Sequence, residues 1–170
     1  MRCLSTVLAL RHYLTLARLS SLPSKAAPEA PTLPRVGFVP TMGCLHAGHL
    51  SLIERARAEN DHLIVSIFVN PAQFSPQEDL DRYPRDLAAD QVLCEAAGVD
   101  VLFLPHGGEL YGEGGDQPGL SPCFTQVLPP QSLLSGLCAQ TRSTHFQGVA
   151  TIVVKLLSLI QPDRAYFGQK

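Results

Sequence analysis

Val36-Gly-Phe-Val-Pro-Thr-Met-Gly-Cys-Leu-His-Ala-Gly-His49 opens as a short apolar run, is stopped by Pro40 and turns through Gly43. It then hands over to a segment with helical spacing. In that segment Leu50, Ile53 and Ala56 recur every third residue with charges between them, which predicts a helix over Leu50–Asn60. Leu63-Ile-Val-Ser-Ile-Phe-Val69 follows as the strongest strand of the chain. It is a β-branched run of the kind buried on both faces of a parallel sheet. Asn70 and Pro71 end it.

Reading outward, a polar loop runs to about Arg85. A helix is expected from Asp86 to Ala97 with Gly98 as its C-terminal cap, and then a strand at Val101-Leu-Phe-Leu104 halted by Pro105. From His106 to Pro130 the chain is rich in Gly and Pro, with one further strand expected near Phe124–Leu128. Val149, Ile152, Val153, Leu156, Leu157 and Ile160 form an unbroken apolar stripe, the clearest amphipathic helix in the sequence. Pro162 closes it, and Arg164-Ala-Tyr-Phe167 reads as a strand entering Gly168. Strand, helix, strand, helix, strand predicts a parallel sheet with right-handed crossovers, an α/β, Rossmann-like fold.

The 170 residues make about one domain. Residues 1–34 read as an N-terminal helix and a Pro/Ala-rich linker, and residues 35–170 as the Rossmann-like domain. The first acid is Glu29, and Arg2, Arg11, Arg18 and Lys25 stand among leucines and serines. That bias fits either a mitochondrial transit peptide or an amphipathic helix on which Leu4, Val7, Leu8, Arg11, Leu14 and Arg18 follow helical spacing. The net charge of −2 argues against a nucleic-acid binder that works by bulk charge. No apolar run is long enough to span a membrane. Five scattered cysteines without a Cys-x-x-Cys pair argue against a disulfide framework or structural zinc and favour a reducing compartment, hence the cytoplasm.

The chemistry is expected at the exit of the first of these strands, because ligands of open α/β sheets bind at the carboxyl ends of strands. A helix starting near Gly48 offers unpaired N–H groups and the positive end of its dipole to phosphate. His46 and His49, three residues apart, can both face a bound triphosphate. A preorganised donor to the charge that develops on an attacked α-phosphate is worth about 3–4 kcal/mol. Two histidines at this spacing could instead ligate a metal or lie idle on the surface, but no third ligand follows at a suitable distance.

Pro40-Thr-Met-Gly-Cys-Leu-His-Ala-Gly-His49 resembles the HIGH-type signature of the nucleotidyltransferase superfamily. Ser66-Ile-Phe-Val-Asn-Pro-Ala-Gln-Phe74, Asp79-Leu-Asp-Arg-Tyr-Pro-Arg85, His145-Phe-Gln-Gly-Val149 and Phe167-Gly-Gln-Lys170 narrow the resemblance to the pantoate–β-alanine ligases. It runs from about Arg35 to the last residue. The resemblance implies a two-step ligation in which pantoate and ATP, with Mg2+, give pantoyl adenylate, and β-alanine then displaces AMP. It places ATP on Pro40, Thr41, Met42, Gly43, Cys44, Leu45, His46, Ala47, Gly48 and His49, and again on Gly168, Gln169 and Lys170. His49 is the proton donor it implies. Pantoate and β-alanine fall to Gln73, Asn70, Arg142 and His145, and a homodimer is implied for the full-length protein.

Taken alone, Asn70 could merely terminate a strand, Arg142 could be a solvated charge, and Asp79, Asp81 and Asp90 read as solvated, with Asp90 within possible reach of a magnesium shell. Ser143-Thr144 and Gln169 depart from the Pro-Gly and Glu common in the family. The sequence stops at Lys170, where family members continue with an Asp, a pantoate-holding glutamine, a Ser/Arg loop and a C-terminal domain. A fragment without turnover of its own is therefore expected. A non-catalytic nucleotide-binding module and another adenylate-forming enzyme are the alternative readings.

Overall fold

The computed structural model describes residues 1–19, 33–74, 80–116, 124–130, 132 and 145–169. Arg142, Lys170 and Asp79 lie outside the described residues. The elements run β1 (Arg2–Leu4), α1 (Val7–Leu19), β2 (Val36–Thr41), α2 (Ala47–Glu59), β3 (His62–Ile67), α3 (Leu87–Ala96), β4 (Val101–Phe103), α4 (Gly107–Tyr111), α5 (His145–Ile160) and β5 (Arg164–Ala165). Two 3-10 turns, Pro71–Gln73 and Leu80–Arg82, sit between β3 and α3.

The strands form one parallel sheet in the order β1-β4-β3-β2-β5. The apolar runs of β2, β3 and β4 are explained by cover on both faces. On one face Leu10 and Leu14 of α1 and Ile152, Leu156 and Ile160 of α5 close over Phe38, Ile64, Val101 and Phe103. On the other, Ile53 and Ala56 of α2 and Cys94 of α3 pack on Val39, Leu63, Val65 and Leu102. Side chains this fully buried contribute about 1.5–3 kcal/mol each. Burial also pushes the Cys94 thiol up to about 11, so it packs as a small apolar group.

From β2 the chain moves through α2, β3 and α3 to β4 on one side, whereas β5 returns to the other side of β2. β2 is therefore the switch point of the sheet, and the crevice outside its carboxyl end is where such folds bind ligands.

Several elements differ from the sequence reading. Arg2–Leu4, read as part of the first helix or its flank, is an edge strand paired in register with Val101–Phe103. The buried face of α1 is Leu10, Leu14 and Ala17, while Leu8 is 81% exposed. Helix α2 starts at Ala47 rather than Leu50, because His46 caps it. No strand forms near Phe124–Leu128. The Val127 N–H donates to Thr151 Oγ1 of α5 at 2.9 Å, so this segment lies on a helix instead of joining the sheet. Helix α3 follows its prediction closely, with Asp86 as N-cap and Gly98 in a left-handed conformation (φ +73) just after the Ala97 cap.

Candidate functional site

Beyond β2 the backbone makes two consecutive left-handed residues, Gly43 (φ 86) and Cys44 (φ 50). A non-glycine residue in this region must be held there by its surroundings. Thr41 supplies one constraint: its Oγ1 donates to the Ser66 carbonyl at 2.8 Å and accepts the Gly43 N–H at 3.2 Å. Asp90 supplies the other. Its Oδ2 accepts the Cys44 N–H at 2.9 Å and its Oδ1 the Leu45 N–H at 2.7 Å. Asp90 is 2% exposed, which corrects the reading of it as a solvated acid. A carboxylate on a helix surface looks solvated in sequence because its partners here are backbone groups that carry no sequence signature.

The turn delivers the two histidines to the start of α2. His46 is extended (φ −135, ψ 177), and its Nδ1 accepts the Gly48 N–H at 3.1 Å. That role as acceptor leaves the ring proton on Nε2 and makes Nε2 a donor. A Cβ at position 48 would come within 3.0 Å of the His46 ring, so the close approach requires Gly48. The His46 and His49 ring centroids lie 4.1 Å apart at an interplanar angle of 45°. Burial and then the neighbouring His46 lower the His49 pKa, against a smaller raising effect of Asp90. His49 is therefore neutral near pH 7, as a hydrogen-bond donor rather than a fixed cation. Its buried Nδ1 has no hydrogen-bond partner among the described residues.

His49 opens into a cleft with Pro40, Thr41 and Met42 of β2 and its exit, Phe68, and Gln73. Val149, Ile152, Val153 and Leu156 of α5 form an apolar wall, and Phe167 beyond β5 also lines the cleft. The stripe on α5 thus serves the core along one edge and the cleft along the other. Asn70, 1% exposed, is more than a strand terminator. Its Nδ2 donates to Gln73 Oε1 at 3.0 Å and to the Gly148 carbonyl at 3.1 Å. Its Oδ1 accepts the Tyr111 hydroxyl at 2.8 Å. Tyr111 had no signal in the sequence, because α4 is only five residues long and opens with Gly107 and Gly108.

The remaining predicted residues divide. His145 lies beside Gln73, with Nδ1 3.1 Å from its backbone carbonyl oxygen, and is not among the cleft-lining residues. Gly168 and Gln169 are exposed just past Phe167 and are not among the cleft-lining residues. Cys44 and Leu45 form the base of the turn, and Ala47 and Gly48 its exposed rim. Of the first segment read as nucleotide-binding, Pro40, Thr41, Met42 and His49 line this cleft together with Gln73, whereas at the second only the preceding Phe167 does so among the described residues.

A model of the family described as pantoate-beta-alanine ligase matches residues 12–170. The chain belongs to the pantoate–β-alanine ligase family. It is similar to the bifunctional pantoate ligase/cytidylate kinase of Trichormus variabilis, 55% identical over 100% of this chain and 33% of that protein. Among solved structures it resembles pantothenate synthetase from Thermus thermophilus, with a TM-score of 0.78 and 47% identity over 100% of this chain and 52% of that one. It also resembles a pantoate-beta-alanine ligase from Francisella tularensis complexed with beta-gamma ATP and beta-alanine, at a TM-score of 0.78 and 35% identity over 98% of this chain and 56% of that one. The chain thus spans about a third of the curated relative and about half of each ligase structure. As a member of the family it carries the parallel sheet and flanking helices of the amino-terminal half.

Proposed function

We propose that this chain is the ATP- and pantoate-binding part of an enzyme that condenses (R)-pantoate with β-alanine. In the first step a pantoate carboxylate oxygen attacks the α-phosphorus of ATP and pyrophosphate leaves, giving pantoyl adenylate. In the second the β-alanine amine attacks the acyl carbon, the C–O bond to AMP breaks, and the amine proton is released. The observation that carries this reading is the convergence of His49, Gln73 and Phe167 on one cleft, at the point where the strand order reverses.

In this reading the α2 N-terminus and the two imidazoles meet the phosphates, with His49 donating to the charge that grows on the α-phosphate. Gly168, Gln169 and Lys170 form the second nucleotide segment, and Gln73, Asn70, Arg142 and His145 serve the pantoate and β-alanine side. Magnesium arrives with the nucleotide, held largely by phosphate oxygens. Asp90 fits a direct ligand role poorly, since both of its oxygens already accept backbone N–H groups. The scattered cysteines favour the cytoplasm, and no helix among the described residues is long and apolar enough to cross a membrane. A homodimer of the full-length protein follows from the family resemblance.

The test is isotope exchange between pyrophosphate and ATP in the full-length protein, with and without pantoate. Exchange that requires pantoate is expected. Exchange that ignores pantoate, or responds equally to an unrelated carboxylic acid, would overturn the assignment.

A further inference from the structure

The hydrogen bonds around Asn70 fix the polarity of Gln73. The Ala72 N–H can only donate, and it faces Asn70 Oδ1 at 3.3 Å. The Gly148 carbonyl can only accept, and it faces Asn70 Nδ2 at 3.1 Å. Two backbone groups of opposite character therefore agree on which way the Asn70 amide is turned. With Nδ2 so placed, the Gln73 atom 3.0 Å away must be an acceptor, Oε1. The amino end of Gln73, Nε2, is the end turned from Asn70, in a residue that lines the cleft.

Tyr111 completes the arrangement. Its hydroxyl lies 2.8 Å from Asn70 Oδ1 and must donate its single proton there. Burial raises the phenol pKa, opposed only by that hydrogen bond, so the proton is present at any physiological pH. The ring is wedged between Phe68, at 6.3 Å, and Phe124, at 4.9 Å between centroids.

We propose that Tyr111 is a positioning residue that acts through Asn70 to lock the orientation of the Gln73 amide, whose Oε1 is held by Asn70 Nδ2. The Gln73 side chain so oriented belongs to the cleft that would receive the ligand. The inference rests on the proposed function in taking pantoate as that ligand.

Two measurements on the full-length protein test it. Tyr111→Phe keeps the ring and removes only the donor. It should raise the KM for pantoate about tenfold while kcat and the KM for ATP stay within twofold, a split that general loosening of the fold would not produce. Asn70→Asp, which cannot donate to Gln73 Oε1, should raise the pantoate KM further. In parallel, NMR should show the Asn70 side-chain amide protons exchanging slowly with solvent in the wild type, and at least tenfold faster in Tyr111→Phe. A pantoate KM unchanged in Tyr111→Phe, or raised equally with that of ATP, overturns the lock. If the wild type shows no pantoate-dependent turnover, the substrate assignment fails and the amide exchange decides the lock by itself. Fast exchange at Asn70 in the wild type would then refute it, as it would if either variant failed to fold.

Discussion

Asp90 and Cys44 stand 46 positions apart, yet the Asp90 carboxylate accepts the Cys44 backbone N–H at 2.9 Å. Its other oxygen accepts the next N–H, that of Leu45. A helix on one side of the sheet thereby holds the left-handed turn that aims two histidines at the cleft. Asp90→Ala leaves two half-buried donors without partners and should cost about 1–3 kcal/mol of stability. ATP affinity should fall with it, because the start of α2 would lose its alignment. Urea unfolding beside nucleotide titration checks this, and a variant as stable as wild type with normal ATP affinity would refute the bracing role.

His49→Ala should slow adenylate formation by roughly 10²–10³-fold while changing ATP affinity much less, since its hydrogen bond is worth most to the charge of the transition state. Pantoate-dependent pyrophosphate exchange, measured with the full-length protein, reports the rate. An unchanged rate would remove His49 from the chemistry.

The pH dependence of stability has a definite sign. The His49 pKa is lowered in the folded chain below the ordinary 6.5, by burial first and by His46 second. Between the folded and unfolded values the unfolded state binds more protons, so stability rises with pH through that window and falls as acid is added. Above about pH 6.5 the contribution is flat. His49→Gln should lose less stability than the wild type between pH 7 and 5, read as the difference between two unfolding midpoints. Parallel curves for the two proteins would contradict it.

A Cβ on Gly148 would stand 2.2 Å from the Ala72 carbonyl oxygen, inside the contact between α5 and the Pro71–Gln73 turn. Gly148→Ala should therefore cost about 1–3 kcal/mol through overpacking. The same change at Gly168 meets nothing within 4 Å and should stay within about 0.5 kcal/mol. Thermal unfolding of the two variants side by side distinguishes a packing requirement from a general intolerance of alanine.

The parts of the fold that could be read in the sequence are those whose physics is local. The apolar run of β3, the stripe of α5 and the caps of α3 each carry their own signal within a dozen residues. β1 does not: three residues become a strand only because Val101–Phe103 offers an unpaired edge far along the chain. The site divides the same way. His46 and His49 could be found from the turn that contains them, whereas Asp90 and Tyr111 act through partners 45 and 41 positions away. Neither residue type, on a short helix, announces a buried bond.

The short strand β5 pairs through only two residues, Arg164 and Ala165, and cannot by itself hold the segment that leads to Phe167. Tyr166 hydrogen-bonds Glu59 at 2.9 Å and Asn60 at 2.7 Å, and Arg164 pairs with Glu59 at 3.1 Å. These contacts all fall at the last turn and cap of α2, whose first turn carries His49. One thirteen-residue rod, about 20 Å long at 1.5 Å per residue, therefore fastens that segment at one end and presents the imidazole at the other. A substitution at Glu59, a helix length from the imidazole, would thus loosen the segment that leads to Phe167.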